Sequence, residues 1–138
     1  MKRSSLFVLA LLCVSSLPAC SQSNDKQLVL ENKHVRRVLV NDNGAWCTTR
    51  LSRADGTAAV DITSDEFLIR LLDGTELTVR DYEAHEQPMV ETGVSRRTVI
   101  ILYSPRAAVA NRGAPDVIVG YWLEDAPYIR KGVCLISP

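Results

Sequence analysis

Two Asp-Gly pairs, Asp55-Gly56 and Asp73-Gly74, restrict what this chain can fold into more than any other feature. Each separates two short runs of β-favouring residues, and Asp-Gly between such runs is a strong local hairpin signal. Around the second pair, Phe67, Ile69 and Leu71 point one way, and Leu77 and Val79 can join them across a ladder. Ahead of the first pair, Trp46 to Arg53 reads as a strand, and Ala58 to Thr63 returns beside it. Val35 to Val40 is a further strand, closed by the turn residues Asn41 to Gly44. Arg97 to Tyr103 has apolar residues on both faces, which predicts a central strand covered on each side.

The last long apolar stretch is a predicted hairpin. Val117, Val119, Tyr121 and Leu123 share one face, with Ile118, Gly120 and Trp122 on the other. Glu124 to Pro127 breaks the run, and Ile129, Val133 and Leu135 form a second stripe interrupted by Lys131. Asp81 to Ser95 and Ser104 to Pro115 read as loops, with room for one helical turn at Ala107–Ala110. No segment carries a helical stripe. The predicted fold class is therefore all-β, an antiparallel β-sandwich.

The first residues do not belong to that fold. Lys2 and Arg3, an apolar stretch from Leu6 to Val14 and the small residues after it have the layout of a secretory signal peptide. The apolar stretch is too short for a stable transmembrane helix. Leu17-Pro18-Ala19-Cys20 resembles the lipobox of bacterial lipoproteins, which implies lipidation of Cys20. Simple cleavage after Ala19 is the competing reading, but it wants a small residue where Leu17 stands. The expected organisation is a signal peptide over 1–19, a lipidated Cys20 with a polar tether over 20–33, and a sandwich domain over 34–138. The expected location is the bacterial cell envelope, with the membrane reached through the lipid anchor.

Loss of residues 1–19 leaves 119 of the 138 residues, enough for one domain with its own core. It also removes Lys2 and Arg3, so 14 basic side chains face 16 acidic ones. There is no basic stripe and no aromatic-rich binding motif, so no nucleic-acid partner is expected. Two cysteines stay in the folded part, Cys47 and Cys134. In an exported chain they form either a long-range disulfide or two separate small apolar side chains, and spacing does not choose between them.

No constellation for catalysis emerges. Asp65-Glu66 and Glu124-Asp125 are adjacent carboxylates, but neighbours on a strand point to opposite faces, so turn or edge solvation accounts for them better. His85 stands near Asp81, Glu83 and Glu86 without a second ligand at metal spacing, which reads as a solvated loop. No nucleophile elbow, dinucleotide fingerprint or phosphate loop occurs. No catalytic residue, metal or cofactor is expected on this chain. Trp46 and Tyr82 are candidate sugar-facing aromatics, because flat apolar rings can stack on a pyranose. Trp122 and Tyr103, inside strong strand patterns, read as core.

A family resemblance adds to this reading. Trp46, Thr48, Thr49, Leu51 and Arg53 to Gly56, then Ser64 to Phe67 with Leu72 to Gly74, then Tyr121, Asp125 to Pro127 and Ile129 to Lys131 resemble the N-terminal β-supersandwich of family-36-like α-galactosidases. The likeness runs from about Val35 to Ile136. It implies a galactose-mutarotase-like sandwich that packs on a catalytic (β/α)8 barrel and shapes the rim of its sugar pocket. The catalytic carboxylates of that family lie on the barrel, so none carries over to this chain. A barrel takes about 250 residues, more than are present. On this reading the chain is the non-catalytic front part of an exported glycoside hydrolase, and the supersandwich is incomplete. The alternative is a standalone envelope lipoprotein whose sandwich binds a glycan or a protein.

Overall fold

The computed structural model describes residues 26–85 and 87–136, so the expected signal peptide and Cys20 lie outside the described residues. The chain forms antiparallel β-sheets with almost no helix, as the turn spacing predicts. A first sheet runs in order through β1 (Gln27–Glu31), β2 (Val35–Asp42), β3 (Ala45–Arg53) and β4 (Val60–Asp65). A short hairpin follows, β5 (Leu68–Arg70) with β6 (Glu76–Thr78). The second sheet holds β7 (Tyr82–Ala84), β8 (Met89–Thr92), β9 (Arg97–Pro105), β10 (Asp116–Leu123) and β11 (Arg130–Ile136). Its order is β11-β10-β9-β7, with β8 also paired to β9.

The turns form for local reasons. Asn43 and Gly44 both have positive φ, 53° and 87°, as a two-residue turn between β2 and β3 requires. At Asp55-Gly56 and Asp73-Gly74 one device is used twice. The glycine N–H donates to the carbonyl three residues back, Arg53 or Leu71, while the Asp carboxylate accepts from the N–H of Thr57 or Thr75. The Thr57 hydroxyl and N–H hold Asp55, and the Thr75 N–H and hydroxyl hold Asp73, below the ordinary carboxylate range.

Both sheets and the small hairpin share one core. Val117, Val119, Tyr121 and Leu123 are buried on the inner face of β10, and Val99, Ile101 and Tyr103 on that of β9. Leu30 and Leu39 come from the first sheet, and Phe67, Ile69, Leu77 and Val79 from the hairpin and its exit. The Phe67 ring meets Tyr82 and Tyr103 edge-on, with centroids 5.2 and 5.3 Å apart. At one end Asn32 fastens the two sheets' loops together. Its side-chain nitrogen lies 2.9–3.0 Å from the carbonyls of Glu124, Ala126 and Tyr128, while its oxygen accepts from the N–H groups of His34 and Val35.

The structure departs from the sequence reading in four places. The expected tether contains β1, because Leu28 and Leu30 alternate inward and pair along β2, with Leu30 fully buried. The expected loop from Asp81 to Ser95 contains β7 and β8, both laid on β9. A one-turn 3₁₀ segment at Val79–Asp81, capped reciprocally by Thr78 and Asp81, turns the chain onto that sheet. β9 is central but buried on its inner face, while Ile100 and Leu102 on the other face are half-buried. Finally, Trp122 does not enter the core. It lies half-buried on the outer face of β10.

Candidate functional site

Alternation along β9 and β10 decides what the second sheet shows to its surroundings. With one face committed to the core, Ile100, Leu102, Ile118 and Trp122 must stand on the other. Gly120 and Gly132 are paired neighbours at the centre of this outer face. The Trp122 ring lies across them: a Cβ at Gly120 would sit 3.1 Å from the ring, and one at Gly132 would sit 3.0 Å from it. The Arg130 guanidinium stands over the ring, 5.3 Å from its centroid, and bonds Glu124 at 2.7 Å. Missing side chains at the glycines leave an apolar groove of about 240 Å³ between Ile100, Ile118 and Trp122. A second groove of similar volume continues past Ile100 to Leu102, Met89 and His85.

The first sheet presents the opposite chemistry. Its outer groove is larger, about 480 Å³, but Arg36, Arg50 and Asp61 line it, and Arg50 pairs with Asp61 at 3.5 Å. Solvated ion pairs of that kind account for this surface without a ligand. The outside is charged on the first sheet and largely apolar on the second.

A buried polar cluster lies behind the sheet, and sequence reasoning missed it. The Glu66 side chain is fully buried. It accepts two bonds from Arg37 Nη2 at 2.8 and 3.0 Å, bonds from the N–H and hydroxyl of Thr48, and one from the Tyr121 hydroxyl. Lys131 Nζ sits 3.4 Å from its carboxylate and 2.6 Å from its carbonyl oxygen. Burial pushes the carboxyl up, but the Arg37 charge, the Thr48 and Tyr121 hydroxyls and the Lys131 charge outweigh it, leaving Glu66 below its ordinary range. Tyr121 is pushed far up, by burial first and then by the Glu66 charge. Every oxygen of Glu66 is occupied, so the cluster ties β2, β3, β10 and β11 together and offers nothing to a substrate. It corrects the reading of Glu66 as a solvated turn or edge carboxylate, whereas Asp65 remains partly exposed beside Arg80. The legible signal was Lys131, a lone cation in an apolar stripe.

The sequence-based candidates fall as follows. Trp46 is 2 % exposed and Tyr82 0 %, so neither faces a sugar. The parity set by the Asn43-Gly44 turn puts Trp46 beside Thr48 and Leu39 inside, and the 3₁₀ turn delivers Tyr82 against Phe67. Tyr103 is core as expected. Cys47 and Cys134 are free thiols on different sheets. Cys47 is buried, 3.7 Å from Asp65, and burial pushes its thiol up, whereas Cys134 is exposed on β11. Asp125 is held low by Lys33 at 2.6 Å and by His34.

One chain of groups looks catalytic at first sight. His85 Nε2 lies 2.6 Å from Ser104 Oγ, which donates to Asp116 at 2.7 Å. A serine nucleophile needs the histidine as base between it and the acid. Here the serine stands in the middle and spends its proton on Asp116, leaving the histidine to donate. Among the described residues no group of His, Cys, Asp and Glu is arranged to hold a metal ion. No helix among them is long and apolar enough to cross a membrane. The chain matches no protein-family model, no curated protein and no solved structure.

Proposed function

We propose that this chain is a non-catalytic β-sandwich domain of an exported envelope protein, and that it works by docking the outer face of its second sheet onto a partner domain. The observation that carries the reading is the apolar surface of Ile100, Leu102, Ile118 and Trp122, with charge only at its Arg130 end, set against the charged outer face of the first sheet. Each large apolar side chain taken from water to full burial contributes about 1.5–3 kcal/mol. These side chains are already half-buried and gain roughly half of that on docking. The resemblance to α-galactosidase N-terminal sandwiches names the partner class: a catalytic glycoside hydrolase barrel whose sugar entrance this domain flanks. The lipobox-like Cys20 supports a membrane-anchored location.

The test is the mass of the species that carries this chain in the envelope of the source cells, read by immunoblot and followed by assay on α-galactosides. The reading expects a species several times larger than the chain, with that activity. A species of the mature chain's own mass, without the activity, would leave the standalone lipoprotein. In that case the same face serves an envelope protein, since Trp46 and Tyr82 are withdrawn from any glycan.

A further inference from the structure

The edge of the second sheet carries a separate surface. Free strand edges present unpaired N–H and C=O groups, and folded proteins normally guard them with charge, bulges or short length. Three of the edges here are guarded. β1 ends in Glu31, β4 carries Asp61 and Asp65 on an irregular ladder, and β7 and β8 have three and four residues, with Glu91 on β8. β11 is not guarded. It runs seven residues in unbroken register with β10, and Gly132 to Ile136 bear no charge. Its two basic residues are drawn away, Lys131 onto Glu66 and Arg130 onto Glu124 and Trp122. Val133, Leu135 and Ile136 are left 45, 50 and 42 % exposed.

We propose that β11 pairs antiparallel with β11 of a second copy of this chain, about a two-fold axis normal to the sheet. Such an axis sets one residue opposite itself. Centred on Cys134, it puts Val133 opposite Leu135 of the second copy and Gly132 opposite Ile136, so apolar positions meet on both faces. Charge selects the antiparallel sense. Pairing in parallel register would stack Lys131 on Lys131 at about 4.8 Å. Antiparallel pairing about Cys134 separates the two lysines by six residues, roughly 20 Å along the strands, beyond the screening length of about 8 Å. The edge is small beside the roughly 1,200 Å² of a stable interface, so the dimer depends on concentration.

The experiment combines sedimentation of the full chain with cross-linking of Cys134 by a short bis-maleimide in the expressing cells. The proposal expects a doubled mass in both, lost in Leu135→Lys, at a residue that lines neither outer-face groove, and kept in Ile118→Lys, which alters only the outer face. Cys134→Ser removes the cross-link and keeps the doubled mass in sedimentation. A monomer throughout, or a dimer lost in Ile118→Lys but not in Leu135→Lys, would each overturn self-pairing. Because edge and face are changed by different variants, failure here is separable from failure of the docking reading.

Discussion

Replacing Glu66 by glutamine tests the buried cluster with little change of shape. The substitution leaves Arg37, 16 % exposed, and Lys131, 29 % exposed, without the carboxylate they share. Removing one partner of a buried ion pair costs about 3–5 kcal/mol. Glutamine can still accept one bond and Lys131 reaches some solvent, so the lower figure of about 3 kcal/mol applies. For a domain of this size each kcal/mol moves the midpoint by about 4 °C, so thermal unfolding of the full chain, followed by circular dichroism, should shift down by roughly 12 °C. Glu76→Gln, which breaks the exposed pair with Arg70, is the control and should lose no more than about 1 kcal/mol. Equal shifts for the two variants would refute the reasoning. The pH dependence has a definite sign. Glu66 is lowered from an ordinary value of 4.5, so its stabilisation is complete above that pH and fades as pH falls through the lowered value. Wild type should therefore lose stability in acid more steeply than Glu66→Gln.

Other outcomes follow from the same geometry. Tyr121→Phe removes a bond to a buried carboxylate and should cost about 1.5–3 kcal/mol. Tyr82→Phe removes a buried hydroxyl that has no partner among the described residues, so urea unfolding should find it neutral or up to about 1 kcal/mol more stable. Gly132→Ala would drive a Cβ to 3.0 Å from two carbons of the Trp122 ring. It should cost about 1–3 kcal/mol and change tryptophan fluorescence, whereas an unchanged spectrum would mean that the ring does not lie on the glycines. In the native protein a maleimide should label Cys134 promptly and Cys47 only on unfolding.

Much of the fold was legible because its signals are local. Asp55-Gly56 and Asp73-Gly74 set two hairpins through bonds within five residues, and period-two patterning sorted the two faces of β10 correctly. What was not legible depends on distant partners. Glu66 looks like a turn carboxylate until Arg37, Thr48, Tyr121 and Lys131 converge on it from four strands. Tyr82 follows a polar run, and only the docking of β7 on β9 shows that it enters the core. The outer face of β9 and β10 reads as apolar in the sequence, but whether a layer covers it is a tertiary fact. That is why Arg97 to Tyr103 suggested cover on both sides and Trp122 suggested core.

Docking through that outer face is most directly tested by photo-cross-linking in the source cells, with a benzophenone amino acid placed at Ile118 or at Arg50. The account predicts a discrete cross-linked species of heterologous or intrachain origin from position 118, and none from position 50 on the charged face of the other sheet. No product at 118, or matching products at both positions, would contradict it.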